Sequence, residues 1–195
     1  MIARLALAAT LAVLANPALA AVQVDFTPGA DAKSYRKILV APTQVEFDRR
    51  FIEDGKLLRG NRGKLRPQEQ EQLAGEIGQS LRNALAEAFR KRGFEVVATP
   101  ASDVLTISPS VRNLYVNTPS ERIGSRVYAR SAGEARMVVE GNDASGSRIL
   151  RATNKGTAGE TAGFLPETKA TNLQSFDEMF RAWAEELAGA LASTR

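Results

Sequence analysis

The residues best placed to do chemistry are seven cations gathered in one connector. Arg49, Arg50, Lys56, Arg59, Arg62, Lys64 and Arg66 face only Asp48, Glu53 and Asp54 between positions 48 and 66, while the rest of the chain is close to charge balance. A cluster of that kind predicts contact with an anionic partner: lipid headgroups, lipopolysaccharide phosphates or an acidic protein of the cell envelope. The plainer reading is a solvated surface loop. Nucleic acid is a poor partner, because Phe51 alone offers a stacking face nearby.

Other constellations reduce to ordinary structure. Ser34-Tyr35-Arg36-Lys37 has the S-x-x-K spacing of serine acylases, but it runs into a strand rather than opening a helix, and the companion S-D-N and K-T-G elements are missing. Glu69, Glu71 and Glu76 could be imagined as a carboxylate cluster, yet acids near a helix start are favoured by the dipole alone. Asn142-Asp143-Ala144-Ser145-Gly146 has the look of a calcium loop, but the twelfth position counted from Asp143 is Asn154, where an EF-hand needs Glu. A hairpin turn accounts for the same residues. Gly60-x-x-Gly63-Lys64 lacks the spacing and the Ser/Thr of a phosphate-binding loop.

Two absences narrow the chemistry further. The chain has no His and no Cys. It therefore lacks the usual general base, the commonest metal ligand, thiol nucleophiles, disulfides and a lipid-bearing cysteine. No catalytic residue, metal ligand or cofactor site is expected. The function class this favours is a non-enzymatic binding or accessory protein. Two alternatives stand beside it: a hydrolase using carboxylates alone on an envelope polymer, and a structural subunit assembling through a strand edge.

The elements that must position these residues are legible from periodicity. From Pro67 to Arg92, Leu73, Ile77, Leu81, Leu85 and Phe89 recur every fourth residue, and Ala74, Ala84 and Ala88 lie beside them, which predicts a long amphipathic helix. Pro67 suits its first position, the cations Arg90, Lys91 and Arg92 suit its last turn, and Gly93 supplies a left-handed stop. A second helix is expected from Phe176 to about Ser193, with Phe176, Phe180, Trp183, Leu187 and Leu191 inward and Ser175-x-x-Glu178 as a capping box. Trp183 belongs to that core stripe rather than to a ligand site. Strands are expected at 36–47, 94–97, 104–116 and 134–140, with a return strand at 148–154 beyond a Gly141–Ser147 turn. Pro42 argues for a bend or an exposed edge in the first of them. This order predicts an α+β fold: a mixed, largely antiparallel sheet with two amphipathic helices packed on one face.

Several of these stretches together resemble a known family. Tyr35-Arg36-Lys37-Ile38-Leu39-Val40-Ala41-Pro42, Leu81–Val97, the hairpin Glu134–Ala152 and Phe180-Arg181-Ala182-Trp183-Ala184 resemble the bacterial envelope family named for domain of unknown function 3313, with Trp183-Ala184 and the Asn142–Gly146 turn the most specific parts. The resemblance implies an exported envelope protein without an assigned activity. Members are typically lipoproteins, whereas this chain has no cysteine to carry a lipid.

Residues 1–20 read as a secretory signal peptide: Arg4, an apolar run from Leu5 to Leu14, and a small-residue site at Ala18-Leu19-Ala20 before Ala21. That run is too short to span about 30 Å of hydrocarbon. Cleavage lowers the formal charge from +4 to +3, and no later segment is apolar enough to cross a membrane. Residues 21–34 are expected as a loose lead-in and 35–195 as one α+β domain. The expected location is the periplasm.

Overall fold

The computed structural model describes residues 21–52, 66–117, 128–129, 131–159, 165–166 and 169–195. Among them the strands are β1 (Gln23–Phe26), β2 (Lys37–Val40), β3 (Gln44–Phe47), β4 (Glu95–Val97), β5 (Val104–Val116), β6 (Tyr128–Ala129), β7 (Gly133–Asn142), β8 (Arg148–Ala158) and β9 (Leu165–Pro166). The long helices are α1 (Pro67–Lys91) and α2 (Lys169–Ala192). The main sheet has seven strands in the order β1-β8-β7-β5-β2-β4, with β3 paired to β5 beside β2; β6 and β9 form a separate small ladder. Pairing is antiparallel along β1, β8, β7 and β5 and parallel where β5 meets β2 and β3 and where β2 meets β4. The fold is α+β, a mixed sheet with both long helices on one face.

The axis of the sheet is β5. One of its edges carries β7, and the other carries β2 and then β3 in tandem. The stretch read as one strand over 36–47 is therefore two, and the break lies at Ala41–Thr43, around Pro42. Ala41 donates its N–H to the Ile107 carbonyl at 2.9 Å. Strand parity then aims the nitrogen of Pro109, which has no hydrogen to give, at the same gap. Two prolines thus share one interruption, and neither leaves a ladder donor missing elsewhere. Beyond it, Asn113 takes a positive φ of 51° in a bulge that shifts the β5–β7 register between Arg112 and Tyr115. Inward-facing positions change from the odd series Leu105, Ile107, Val111 to the even Leu114, all fully buried.

The two helices meet complementary surfaces. Under α1 the sheet presents Ile38, Val40, Leu105 and Ile107, and the helix brings Gly78, Ala84 and Ala88 among its larger residues. Gly78 suits this approach, since a Cβ there would lie 3.3 Å from the Thr43 carbonyl oxygen, a tight contact. Toward α2 the pattern inverts. Strands β7 and β8 offer Gly133, Ala135, Ala152 and Ala158, and the helix supplies Phe176, Phe180, Trp183 and Leu187. Gly133 cannot be replaced simply: its φ is 146°, and a Cβ would fall 2.0 Å from the Tyr115 oxygen and 3.0 Å from the Phe176 ring. The helices run parallel, tied by Ser80 Oγ to Asp177 (2.9 Å) near the middle of α1 and by Lys91 Nζ to Glu185 (3.1 Å) at its C-terminal end.

Two boundaries depart from the expected ones. Residues 23–26, read as part of a loose lead-in, form edge strand β1 on β8, and Val24 and Phe26 pack against the core. Their alternation is too short to register as a strand until a partner supplies the ladder. Helix α2 begins at Lys169, not Phe176, so Ser175 is a buried residue within the helix and not its N-cap. The added turn is anchored by Asn172, whose side chain donates to the Asn117 carbonyl at 2.6 Å. That is a contact 55 residues distant, invisible to a local capping rule. Helix α1 runs over Pro67–Lys91, with Gly93 left-handed at φ 80°, as its sequence requires.

Candidate functional site

Because both long helices lie on one face, the other face of the sheet stays open among the described residues, and the register lays out its side chains in rows. Directly opposite residues on neighbouring strands sit with Cβ atoms about 5 Å apart. One row reads Ser108, Glu140, Arg151, Asp25, so its charges alternate in sign. The next is Ser110, Val138, Thr153, Gln23, without charge. The third is Arg112, Arg136, Lys155, three cations abreast on β5, β7 and β8. All three are exposed, and none has an ion pair among the described residues. Val138 in the neutral row is only 7% exposed although it points away from the helices.

Two depressions flank the row. A cleft of about 120 Å³ lies between Arg136, Lys155, Glu134, Asn113 and the Asp48–Arg50 pair. A wider one of about 500 Å³ opens at the β2–β3 break, bounded by Pro42, Gln44, Ser108, Ser110, Arg112 and Glu140. Arg112 borders the second and Arg136 the first, so the cationic row bridges them.

The connector cations divide. Lys56, Arg59, Arg62 and Lys64 lie outside the described residues. Arg50 is held against the domain. Its Nε donates to Asp48 Oδ1 at 3.0 Å and its Nη2 to Asp48 Oδ2 at 3.1 Å, while the guanidinium stands 5.5 Å from the centre of the Tyr115 ring. That fork holds the Asp48 carboxyl below its ordinary range. Phe51 is no exposed stacking face, being buried at 5.2 Å from Phe47 and 6.0 Å from Tyr115. Arg66 precedes α1 and gives its backbone N–H to Glu69 Oε2 at 2.9 Å. Arg49 is exposed at the start of the connector and engaged in a contact of its own.

Three motifs prove to be scaffolding. Lys37 pairs with Asp103 at 2.8 Å, and Ser34 donates to the Asp31 carbonyl at 2.9 Å, so the S-x-x-K residues serve separate turns. Asp143 Oδ1 accepts from the Ser145 N–H (2.8 Å), the Ser145 hydroxyl (2.7 Å) and the Ser147 N–H (2.8 Å). Those bonds close the β7–β8 turn and depress the Asp143 carboxyl, the Ser145 hydroxyl contributing most. Trp183 is fully buried beside Phe180, and its indole nitrogen has no hydrogen-bond partner among the described residues.

The profile of the family described as "Protein of unknown function (DUF3313)" matches residues 10–187, nearly the whole length of the chain. The chain belongs to this family. No curated protein matches it. Among solved structures it is similar to the PelC dodecamer from Paraburkholderia phytofirmans, at 13% identity and a TM-score of 0.42 over 85% of this chain and 95% of that one. It is also similar to a DUF4136 family protein from Bacteroides thetaiotaomicron VPI-5482, at 12% identity and a TM-score of 0.43 over 92% of this chain and 100% of that one. These likenesses are loose, and no role is taken from them. The DUF3313 family brings no catalytic residues to place on this fold. The cationic row escaped sequence reasoning, because Arg112, Arg136 and Lys155 are 24 and 19 residues apart in the chain. Each shows locally only as a polar position in an alternating strand.

Proposed function

We propose that this DUF3313 member is an exported, non-enzymatic accessory or binding protein of the cell envelope that meets its partner through the open face of the sheet. The observation that carries this reading is the row Arg112, Arg136, Lys155, three exposed cations without an ion pair among the described residues. Like charges directly opposite on adjacent strands destabilise a sheet, and the neighbouring charged row avoids the problem by alternation. An anionic partner would supply the missing compensation. The leader at residues 1–20 supports export to the periplasm, and the exposed Arg66 stands at the far end of the connector.

The carboxylate-only hydrolase has one specific observation to answer, since Asp48 and Glu134 border the same cleft. A glycosidase pair needs one carboxylic acid that keeps its proton. Asp48 is shifted the other way by Arg50, which argues against it as a proton donor. Assembly through a strand edge is weakly supported. The outer strands β1, β3 and β4 have four, four and three residues and carry Asp25, Glu46 and Glu95, and short charged edges are poor templates for pairing.

The test is site-specific photo-crosslinking in intact cells, with the crosslinker at Ser110 or Thr153 on the sheet face and at Glu87 on α1 as the comparison. Adducts are expected from the sheet positions alone. Adducts from Glu87 only would move the contact to the helices. Turnover of an envelope polymer by the purified protein, abolished by Glu134→Gln, would replace the binding reading with the hydrolase.

A further inference from the structure

The geometry points to a binding site for a compact phosphate group, a phosphate monoester or a diphosphate on a soluble ligand, across Arg112, Arg136 and Lys155. This deepens the binding reading and rests on it. The three cations occupy consecutive strands in register, Arg112 opposite Arg136 and Arg136 opposite Lys155. With strands about 4.8 Å apart, their attachment points span about 10 Å. A single carboxylate brings one charge and can answer only one member of such a row. A phosphate monoester carries about −1.5 to −2 at neutral pH and three strong acceptor oxygens, enough to bridge two neighbouring cations. A diphosphate can reach all three. Arginine at two of the three positions suits this, because its planar fork matches phosphate oxygens in pairs.

The surroundings argue for a small ligand rather than a charged plane. The row is bordered on one side by the uncharged Ser110, Val138 and Thr153, of which the Thr153 hydroxyl can donate to a further oxygen while that of Ser110 donates to the Val138 carbonyl at 3.1 Å, and on the other by Tyr115, Glu134 and Thr157. One row further out lie Glu140 and Asp25. An extended anionic surface laid on this face would meet those carboxylates as well as the cations. A compact group seated between Arg136 and Lys155, at the cleft of about 120 Å³, avoids Glu140 and Asp25 and meets Glu134 alone as a carboxylate to accommodate, since the other one lining the cleft, Asp48, is already held by Arg50. The nearest competing cation does not belong to the set, since Arg50 is already forked to Asp48.

The experiment uses the whole mature chain with inorganic diphosphate as the probe, followed by calorimetry and by amide chemical-shift mapping at low and physiological salt. Saturable binding is expected, with the largest shifts on β5, β7 and β8 around the row. The combined variant Arg112→Gln, Arg136→Gln, Lys155→Gln is expected to weaken it by at least about tenfold. Arg151→Gln, in the charge-alternating row, should leave it unchanged, and unaltered melting of both variants keeps the comparison clean. Absence of saturable binding at low salt would overturn the proposal, as would equal binding by the triple variant. Phosphatidylglycerol vesicles that bind the protein while soluble diphosphate fails to compete would also overturn it, in favour of a membrane surface. If diphosphate binding fails while crosslinks from Ser110 and Thr153 persist, the ligand class falls and the binding module stands.

Discussion

The two faces of the sheet are made from alternate residues of the same strands, yet they obey different rules. On the helix-covered face of β7 and β8, Ala135, Met137, Val139, Leu150 and Ala152 are fully or almost fully buried, and each volume is matched to the helix above. On the opposite face, Arg136, Arg151 and Lys155 are exposed, with polar or charged register partners on the neighbouring strands. The first face holds the fold together, and a single added carbon is felt there. The second can carry an arrangement that is unfavourable by itself, three like charges abreast, because a solvated like-charge contact costs only a fraction of a kcal/mol up to about 1 kcal/mol. A function placed on that face leaves the core undisturbed.

Substitutions can break or sharpen this contrast. The largest effect is expected at Gly133, where alanine combines a disallowed φ with a Cβ 2.0 Å from the Tyr115 oxygen. Gly133→Ala should cost more than about 4 kcal/mol, read as loss of a cooperative melting transition. Trp183→Ala comes next, at about 3–5 kcal/mol by urea unfolding, because it empties the volume between α2 and the small residues of the sheet. Trp183→Phe should lose clearly less, since it also removes an unpartnered buried N–H. A native emission maximum like that of free tryptophan would contradict this inward placement. On the open face, replacing Arg112, Arg136 and Lys155 together by Gln should change stability by no more than about 0.5 kcal/mol per site, if anything upward as repulsion is relieved. A large loss there would mean that the two faces are not independent.

The smallest effects test boundary details. Ser175→Ala should cost nothing or stabilise by up to about 0.5 kcal/mol, since Ser175 lies inside α2, where alanine is the better helix former. A loss of 1–2 kcal/mol, about that of a missing N-cap, would restore the shorter helix. The Asp48–Arg50 fork predicts a pH dependence of definite sign. A carboxyl whose folded-state pKa is lowered contributes stability that is present above its unfolded value and is lost as pH falls through the folded one. The loss should therefore come below about pH 4, given the ordinary carboxylate value of 3.8. Asp48→Asn should flatten that acid limb by removing the contribution made near neutral pH, where melting falls slightly, and leave melting at the acid end almost unchanged.

Much of this molecule was determined by local sequence. The fourfold spacing from Leu73 to Phe89, with Pro67 before it and Gly93 after, specifies α1 whatever it packs against, because periodicity and end effects act within a few residues. Strand β5 over Val104–Val116 and the Asp143–Ser147 turn were equally legible. So was the family, whose matching stretches span the strands and helices alike. What only the tertiary structure decided depends on register. The first strand divides at Pro42 because β5 places Pro109 beside the same gap. Residues 23–26 become a strand because β8 offers an edge, and α2 gains its first turn because Asn172 finds the Asn117 carbonyl. The cationic row is of the same kind. Three alternating strands each specify one outward cation, but whether those cations stand abreast or apart turns on pairings that a one-residue slip would undo, and the bulge at Asn113 is part of what fixes them.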